Sequence, residues 1–184
     1  MENAGTKRLF FALQPSAQQS AELVERAAPL VAQLQAQPVS ASNLHATLCF
    51  IGAVPPEKVT DLLEAAARVR GSRATLDFDA LEHWPQPKVL CATARDTAAA
   101  HLLAQQLAIA TAAAGLAPDL KPFRAHLTLA RKVSAQRAAE CEWPRELTPR
   151  LQLHCDRFLL MQSQRDEAGS IYSVVDSWPL YTEG

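Results

Sequence analysis

The chain has 184 residues, of which 48% are hydrophobic and 20% charged, and its formal net charge is −1 at pH 7. This composition is typical of one globular domain and excludes wholesale disorder. It also lacks the basic excess of a protein that coats nucleic acid non-specifically, so any nucleic-acid contact is expected to be local.

The same composition limits the cellular setting. No apolar run reaches the roughly 18–20 residues that a membrane helix needs, and the polar start of the chain has no signal-peptide pattern. The four cysteines form no C-x-x-C pair and lack zinc-finger spacing (Cys49, Cys91, Cys141, Cys155). We therefore expect reduced thiols in a cytoplasmic protein, without disulfides and without membrane contact.

The first third of the chain predicts strand, helix, strand and helix. Residues 8–13 (RLFFAL) are apolar and predict a strand. Ser16 and Gln19 then have the spacing of a capping box, which opens a helix whose interior Pro29 is expected to kink or split it. Residues 43–51 predict a second strand, and a second helix is expected from Pro55 to Gly71.

The remaining two thirds predict mostly strands around one long helix. Residues 74–84 and 88–94 predict two strands joined by a proline-containing turn, and Asp96 is expected to cap a helix that ends at Gly115. Residues 125–130 predict a strand, and residues 134–149 a surface excursion. Residues 151–161 and 171–175 predict the last strands, joined by a polar turn over residues 162–170.

One pattern occurs twice along the chain. Residues 8–16 align with residues 88–96 as a strand followed by a helix start, and after each helix comes a His-x-Thr-Leu, at 45–48 and at 126–129. The spacing is too long for a solenoid repeat. One matching strand could arise by chance, but a matching strand, helix start and His-x-Thr-Leu at nearly the same offset favour a duplication. We therefore predict two lobes that face each other across a pseudo-twofold axis.

The two His-x-Thr strands predict a site with acid and base groups. Residues i and i+2 of a strand share a face, so His45 lies beside Thr47 and His126 beside Thr128. With a pKa near 6.5, one imidazole can be neutral and accept a proton while the other is protonated and donates one. Threonine hydroxyls can donate to phosphate oxygens, so the set suits the opening or forming of a phosphodiester at a ribose hydroxyl. The other three histidines have no such twin and are interpreted as structural or surface residues (His83, His101, His154).

The same side chains also suit two other kinds of site. Two histidines also suit zinc, but neither strand carries a carboxylate near its histidine and no third ligand has suitable spacing, so no metal or other cofactor is expected. On a regular strand Cys49 would share the face of His45, which makes a Cys–His nucleophile conceivable. That alternative leaves His126 and Thr128 without a role, and a buried free cysteine is favoured.

A phosphate also calls for a positive charge. Arg131 follows the second motif, and Lys121 and Arg124 precede it. An arginine can bind a phosphate through two parallel hydrogen bonds. Strand parity, however, places Arg131 on the face opposite His126 unless the strand ends or bulges after Leu129. A solvated charge at the strand end is the competing interpretation.

Several segments together carry a family pattern: residues 8–13 (RLFFAL), 43–52 (NLHATLCFIG), 123–131 (FRAHLTLAR), 169–172 (GSIY) and 178–180 (WPL). They resemble the two-histidine (2H) phosphoesterase superfamily, and within it the RNA 2′,3′-cyclic phosphodiesterases historically called 2′-5′ RNA ligases. The resemblance implies an α+β fold of two lobes, with antiparallel sheets lining a central cleft and helices outside. Residues 1–184 would form one bilobal domain, with the duplicated units near residues 8–52 and 88–131.

The resemblance also implies an activity and residue roles. A terminal 2′,3′-cyclic phosphate on RNA would be hydrolysed to a 2′-phosphate, with His45 as proton donor and His126 as proton acceptor. Thr47, Thr128 and Arg131 would bind the phosphate. One departure is Ala125, where the family usually has proline, and it removes no reacting group.

Other functions remain open from sequence alone. They are a phosphodiesterase or ligase for small cyclic nucleotides or 2′-5′ linkages, and a non-catalytic RNA-binding module of the same fold. The presence of both histidines disfavours the module. We expect a monomer whose partner is an RNA end, such as a tRNA fragment. Phe10, Trp84 and Tyr172 could stack a base, and core packing explains them equally well.

Overall fold

In the computed structural model, which describes residues 5–95, 97–166 and 169–182, the chain forms two antiparallel sheets. The first sheet has the strand order β3-β1-β8-β9, made of Ala46–Val54, Lys7–Leu13, Arg157–Asp166 and Gly169–Pro179. The second has the order β2-β6-β5-β4-β7, made of Gln37–Pro38, His126–Arg131, Val89–Arg95, Ala74–Trp84 and Arg145–Cys155.

Helices cover the outer sides of the sheets. They are α1 (Ala17–Gln33), α2 (Pro56–Ala67), α3 (Ala98–Ala113) and the short α4 (Ala135–Ala139), with one 3₁₀ turn at Ala41–Asn43. Helix α1 packs against β2 and β6, while α3 packs against β3 and α2. This arrangement confirms the predicted α+β class, with antiparallel sheets lining a cleft. No helix in the described residues is long and apolar enough to cross a membrane.

The helix ends follow local sequence signals. Ser16 Oγ accepts the amide of Gln19, and the Gln19 side chain accepts the amide of Ser16, so the predicted capping box forms. Pro29 lies inside α1 and does not split it, contrary to one of the expected outcomes. Pro29 has no backbone N–H, so the helix lacks one hydrogen bond at this residue. Neighbouring residues such as Ala27 and Leu30 are buried in the core and hold the helix to the sheet. The expected cap Asp96 lies outside the described residues.

The C-terminal third differs from its prediction. Residues 151–161 are two strands rather than one, because β7 ends at Cys155 and β8 begins at Arg157. The polar segment 162–170 is largely the paired upper part of a long β8–β9 hairpin rather than a turn. The excursion 134–149 contains helix α4 and the start of β7. Polar residues on a solvated hairpin resemble a turn in sequence, which explains the wrong prediction for residues 162–170.

The two sheets have a matching order around their motif strands. In the first, β3 with His45 just before it lies beside β1, and in the second, β6 with His126 lies beside β5. Each motif strand is therefore antiparallel to the opening strand of its own unit. The division of residues 1–184 into two duplicated units within one domain stays a prediction.

Candidate active site

Each motif strand contains a β-bulge immediately after its threonine. In β3, Cys49 pairs with Phe11 and Thr47 with Ala12, so Leu48 is the extra residue. In β6, Ala130 pairs with Leu90 and Thr128 with Cys91, so Leu129 is the extra residue. A bulge adds one residue to one strand and exchanges the faces of everything beyond it.

These bulges decide which side chains reach the cleft. Leu129 and Ala130 are both buried, and Arg131 beyond them is exposed and lines the same cavity as His126 and Thr128. On a regular strand Arg131 would lie on the face opposite His126, and the bulge at Leu129 brings it to the same face. At the corresponding place after the first bulge, Phe50 lines the cavity.

The bulge in β3 also separates Cys49 from the histidine. Cys49 is 4% exposed and lies beside Thr111 of α3, on the core side of the strand. Burial raises the pKa of its thiol to about 11. The Cys–His nucleophile is thus disfavoured by both position and ionisation. All four cysteines are free.

Both motif histidines are held in the same way. Nδ1 of His45 lies 2.8 Å from the carbonyl oxygen of Asn43, and Nδ1 of His126 lies 2.8 Å from that of Arg124. A carbonyl oxygen only accepts, so Nδ1 carries the hydrogen in each ring. In the neutral form Nε2 then has the free lone pair, and in the protonated form Nε2–H is the available donor. The backbone carbonyl two residues before each histidine therefore fixes the tautomer with the hydrogen on Nδ1, which leaves Nε2 free for acid–base chemistry.

Aromatic rings fix the orientation of each imidazole. The His45 ring lies 4.8 Å from the ring of Phe10 and 4.7 Å from that of Tyr172, measured between centroids. The His126 ring lies 4.5 Å from that of Trp84. The three aromatic residues named as possible base-stacking groups therefore all contact the motif histidines.

One carboxylate organises the wall beside His126. Glu82 accepts hydrogen bonds from Nε1 of Trp84 at 3.0 Å, from the Thr93 hydroxyl at 3.0 Å and from Arg124 at 2.8 Å. The Arg124 guanidinium also lies over the Trp84 ring, 4.8 Å from its centroid. Glu82 thus holds Trp84 and Arg124 in place, and their contacts reach His126 directly. Its pKa lies below the usual value because these donors outweigh the cost of its partial burial.

A cavity of about 540 Å³ joins these side chains. It is lined by His45, Thr47, His126, Thr128 and Arg131, which are all five of the predicted site residues. A neighbouring cavity of about 460 Å³ shares Thr47, Phe50, Trp84 and His126 with it and extends towards residues 119–124. The sheets therefore meet in one cleft with two connected spaces.

The electrostatics lower both imidazole pKa values. Burial lowers the pKa of His45 to about 4; the Asn43 carbonyl opposes this, and His126 and Arg131 add to it. Burial also lowers the pKa of His126, against the Arg124 carbonyl and together with the charges of Arg124 and Arg131. Both rings are therefore neutral at pH 7 in the free protein, and an anion bound between them would raise both pKa values.

Sequence reasoning missed several residues of this site. Arg8, Ser163, Arg165 and Ser170 line the cavity, and Glu82 lies just behind its wall. Arg8 had a detectable signal, because it precedes Phe10 and Ala12 at the two-residue spacing of one strand face. Arg165 had none, because its segment was predicted as a turn. Among the described residues no three histidine, cysteine or acidic side chains group closely enough to hold a metal ion.

Comparisons with known proteins agree with this geometry. The model of the LigT like phosphoesterase family matches the chain twice, over residues 12–91 and 94–172. The RNA 2′,3′-cyclic phosphodiesterase of Escherichia coli (strain K12) is 33% identical over 129 residues, which cover 70% of this chain and 73% of that protein. The protein of the same name from Geobacillus stearothermophilus is 26% identical over 147 residues, covering 77% of this chain and 47% of that protein.

A solved structure gives the same result in three dimensions. The crystal structure of E. coli LigT complexed with 3′-AMP matches with a TM-score of 0.83 and 27% identity, over 95% of this chain and 98% of that one. The motif strands, the cleft and these similarities together show that the chain belongs to the LigT-like family of 2H phosphoesterases.

Proposed function

We propose that this chain hydrolyses 2′,3′-cyclic phosphate at the 3′ end of RNA and leaves a 2′-phosphate. The observation that carries the proposal is the pair of imidazoles in one cavity, each with Nδ1 bound to a backbone carbonyl and Nε2 available. The names of the relatives support the choice of substrate. The resemblance of the motifs supports His45 as donor and His126 as acceptor.

The proposed reaction is one displacement at phosphorus. Nε2 of neutral His126 takes a proton from a water molecule as its oxygen attacks phosphorus. The bond between phosphorus and the 3′-oxygen breaks, and protonated His45 donates its Nε2 proton to that oxygen. The products are a 2′-phosphate and a 3′-hydroxyl, and no step needs a metal ion.

Three side chains are proposed to hold the phosphate during this step. Thr47 and Thr128 donate hydrogen bonds to its non-bridging oxygens, and Arg131 offsets their growing negative charge. Each threonine shares a strand face with its histidine, so phosphate binding and proton transfer are held by the same two strands. The bulge at Leu129 is what adds the arginine to this set.

The proposed reaction needs His126 neutral and His45 protonated. This condition is met if His45 takes up a proton from solvent when the substrate binds. In the free protein His126 is already the neutral base at pH 7. His45 is neutral too, with a pKa of about 4. A phosphate charge raises the pKa of an imidazole beside it, and the proposal requires this effect to be larger for His45, which then takes up its proton together with the substrate. The charge of Arg124 helps to keep His126 neutral.

The test is incubation of the protein with an RNA oligonucleotide that ends in a 2′,3′-cyclic phosphate, followed by identification of the product. We expect a 2′-phosphate, and the His126→Ala variant should mainly lose the acidic limb of the profile of kcat/KM against pH. An RNA with a 2′-5′ linkage and a mononucleoside 2′,3′-cyclic phosphate serve as alternative substrates. A 3′-phosphate product would exchange the two histidine roles, and intact cyclic phosphate with every substrate would overturn the proposal.

A further inference from the structure

One arm of the cleft carries positive charge outside the set of side chains proposed to bind the cyclic phosphate. Besides Arg131, the cavity is lined by Arg8 on β1 and by Arg165 on β8. Ser163 and Ser170 line the same cavity. None of the lining residues is acidic. Among the side chains of residues 5–95, 97–165 and 170–182, no ion pair engages Arg8, Arg131 or Arg165. Three guanidinium groups thus face one cavity in a chain of net charge −1.

The sheet register places Arg8 and Arg165 side by side. Arg8 pairs with Ser163, and Arg165 lies two residues beyond Ser163 on the same face of β8. Diagonal neighbours of this kind have Cα atoms about 7–8 Å apart, which is within reach of two long side chains. Both arginines are exposed. Two adjacent cations that pair with no carboxylate among the described side chains form a binding position for an anion.

This position is separate from the one proposed for the cyclic phosphate. Arg8 is two residues from Phe10, whose ring contacts that of His45. Two residues of extended strand span about 7 Å, so Arg8 lies one position beyond Phe10 on the same face of β1. This is away from Leu13, which pairs with Ala46 next to His45. Phe50 and Tyr172 line the space alongside, and the Arg8 guanidinium lies 5.5 Å from the centroid of the Phe50 ring. Aromatic rings beside cations are the usual surroundings of single-stranded nucleic acid.

We propose that Arg8 and Arg165 form a second anion subsite, which binds the phosphate on the 5′ side of the terminal nucleoside. This inference rests on the proposed function and names its substrate more closely. In an RNA end, the terminal nucleoside connects the cyclic phosphate to a linking phosphate one nucleotide away, whereas a free cyclic mononucleotide has no second phosphate. The subsite therefore selects RNA ends over small cyclic nucleotides.

The first test varies the substrate and leaves the protein unchanged. We compare adenosine 2′,3′-cyclic phosphate, a diadenosine dinucleotide ending in 2′,3′-cyclic phosphate, and the same dinucleotide with an uncharged methylphosphonate linkage. We expect kcat/KM of the natural dinucleotide to exceed that of the mononucleotide by about tenfold or more, since hydrogen bonds to charged groups have that magnitude. The methylphosphonate should lose most of this advantage, and the advantage should shrink as salt is added.

The second test varies the protein and uses the ratio of kcat/KM for dinucleotide over mononucleotide. Arg8→Gln and Arg165→Gln should each lower this ratio by about threefold to tenfold, with no loss of fold because both side chains are exposed. Arg157→Gln is the matched control, since Arg157 lies at the other end of β8, bonds Asp156 and does not line the cavity. The Arg157→Gln variant should show the same dinucleotide-to-mononucleotide ratio of kcat/KM as the wild type.

The outcomes separate this inference from the proposed function. If the wild type opens none of the cyclic phosphates, the proposed function is wrong. If it opens the mononucleotide, the natural dinucleotide and the methylphosphonate equally well, the function stands and the second subsite is wrong. An unchanged ratio in both Arg8→Gln and Arg165→Gln would also overturn the subsite.

Discussion

The half-buried ring of His45 predicts that acid destabilises the free protein in a specific way. The pKa of this ring is about 4 in the folded chain, against 6.5 for an unperturbed histidine. Because the folded pKa is lowered, the unfolded chain binds the extra proton between these values. Stability is therefore complete above pH 6.5 and is lost as the pH falls towards 4. At about 1.4 kcal/mol per pH unit, the loss due to His45 reaches at most roughly 3 kcal/mol.

The assay is urea unfolding of the wild type and of His45→Gln at several pH values from 7.5 down to 4. Other groups that respond to acid, such as Glu82, are present in both proteins, so the difference between their curves isolates His45. The free energy of unfolding of the wild type should fall by up to about 3 kcal/mol more than that of the variant. His126→Gln should change the curve in the same direction, because the pKa of His126 is lowered too. Parallel wild-type and His45→Gln curves over this range would refute the argument that partial burial keeps His45 as a neutral ring.

Three further results are expected. His45→Ala and His126→Ala should each lower kcat by about 10²–10⁴, and the losses should not multiply in the double variant because both groups serve one step; near-normal turnover in either variant would contradict the assignment. Activity should survive excess chelator, and a full loss restored by zinc or manganese would show that a metal takes part. Glu82→Gln should move the acidic limb of kcat/KM to lower pH, because it removes the negative charge that offsets Arg124 beside His126; an unmoved limb would mean that Glu82 only supports the fold.

Much of the fold was predictable because its signals are local. The capping box at Ser16 and the 74–94 hairpin depend on neighbouring residues, and both form as expected. The β8–β9 hairpin was not predictable in length, because its polar residues face solvent or the cleft and resemble a turn. Pro29 stays inside α1 because burial of neighbouring side chains compensates one missing backbone donor, and that compensation depends on distant strands.

The site was predictable as far as strand periodicity holds. His45, Thr47, His126 and Thr128 follow from the two-residue period and line one cavity. Beyond each threonine the period fails, because the bulges at Leu48 and Leu129 shift the faces. Sequence parity alone placed Arg131 on the wrong face for this reason. A bulge is a property of pairing between two strands, so no pattern within one strand reveals it.

The bulges also explain how two similar motifs give two different environments. The first position that returns to the cleft after the bulge is occupied by Phe50 on one strand and by Arg131 on the other. His45 contacts the rings of Phe10 and Tyr172, whereas His126 faces Trp84 and the charge of Arg124. The reaction itself has two different sides, with the attacking water on one and the leaving 3′-oxygen on the other, so the orientation of the bound substrate assigns the acid and base roles. In the free protein the walls lower the pKa of His45 to about 4, so the proposed donor depends on the bound phosphate for its proton.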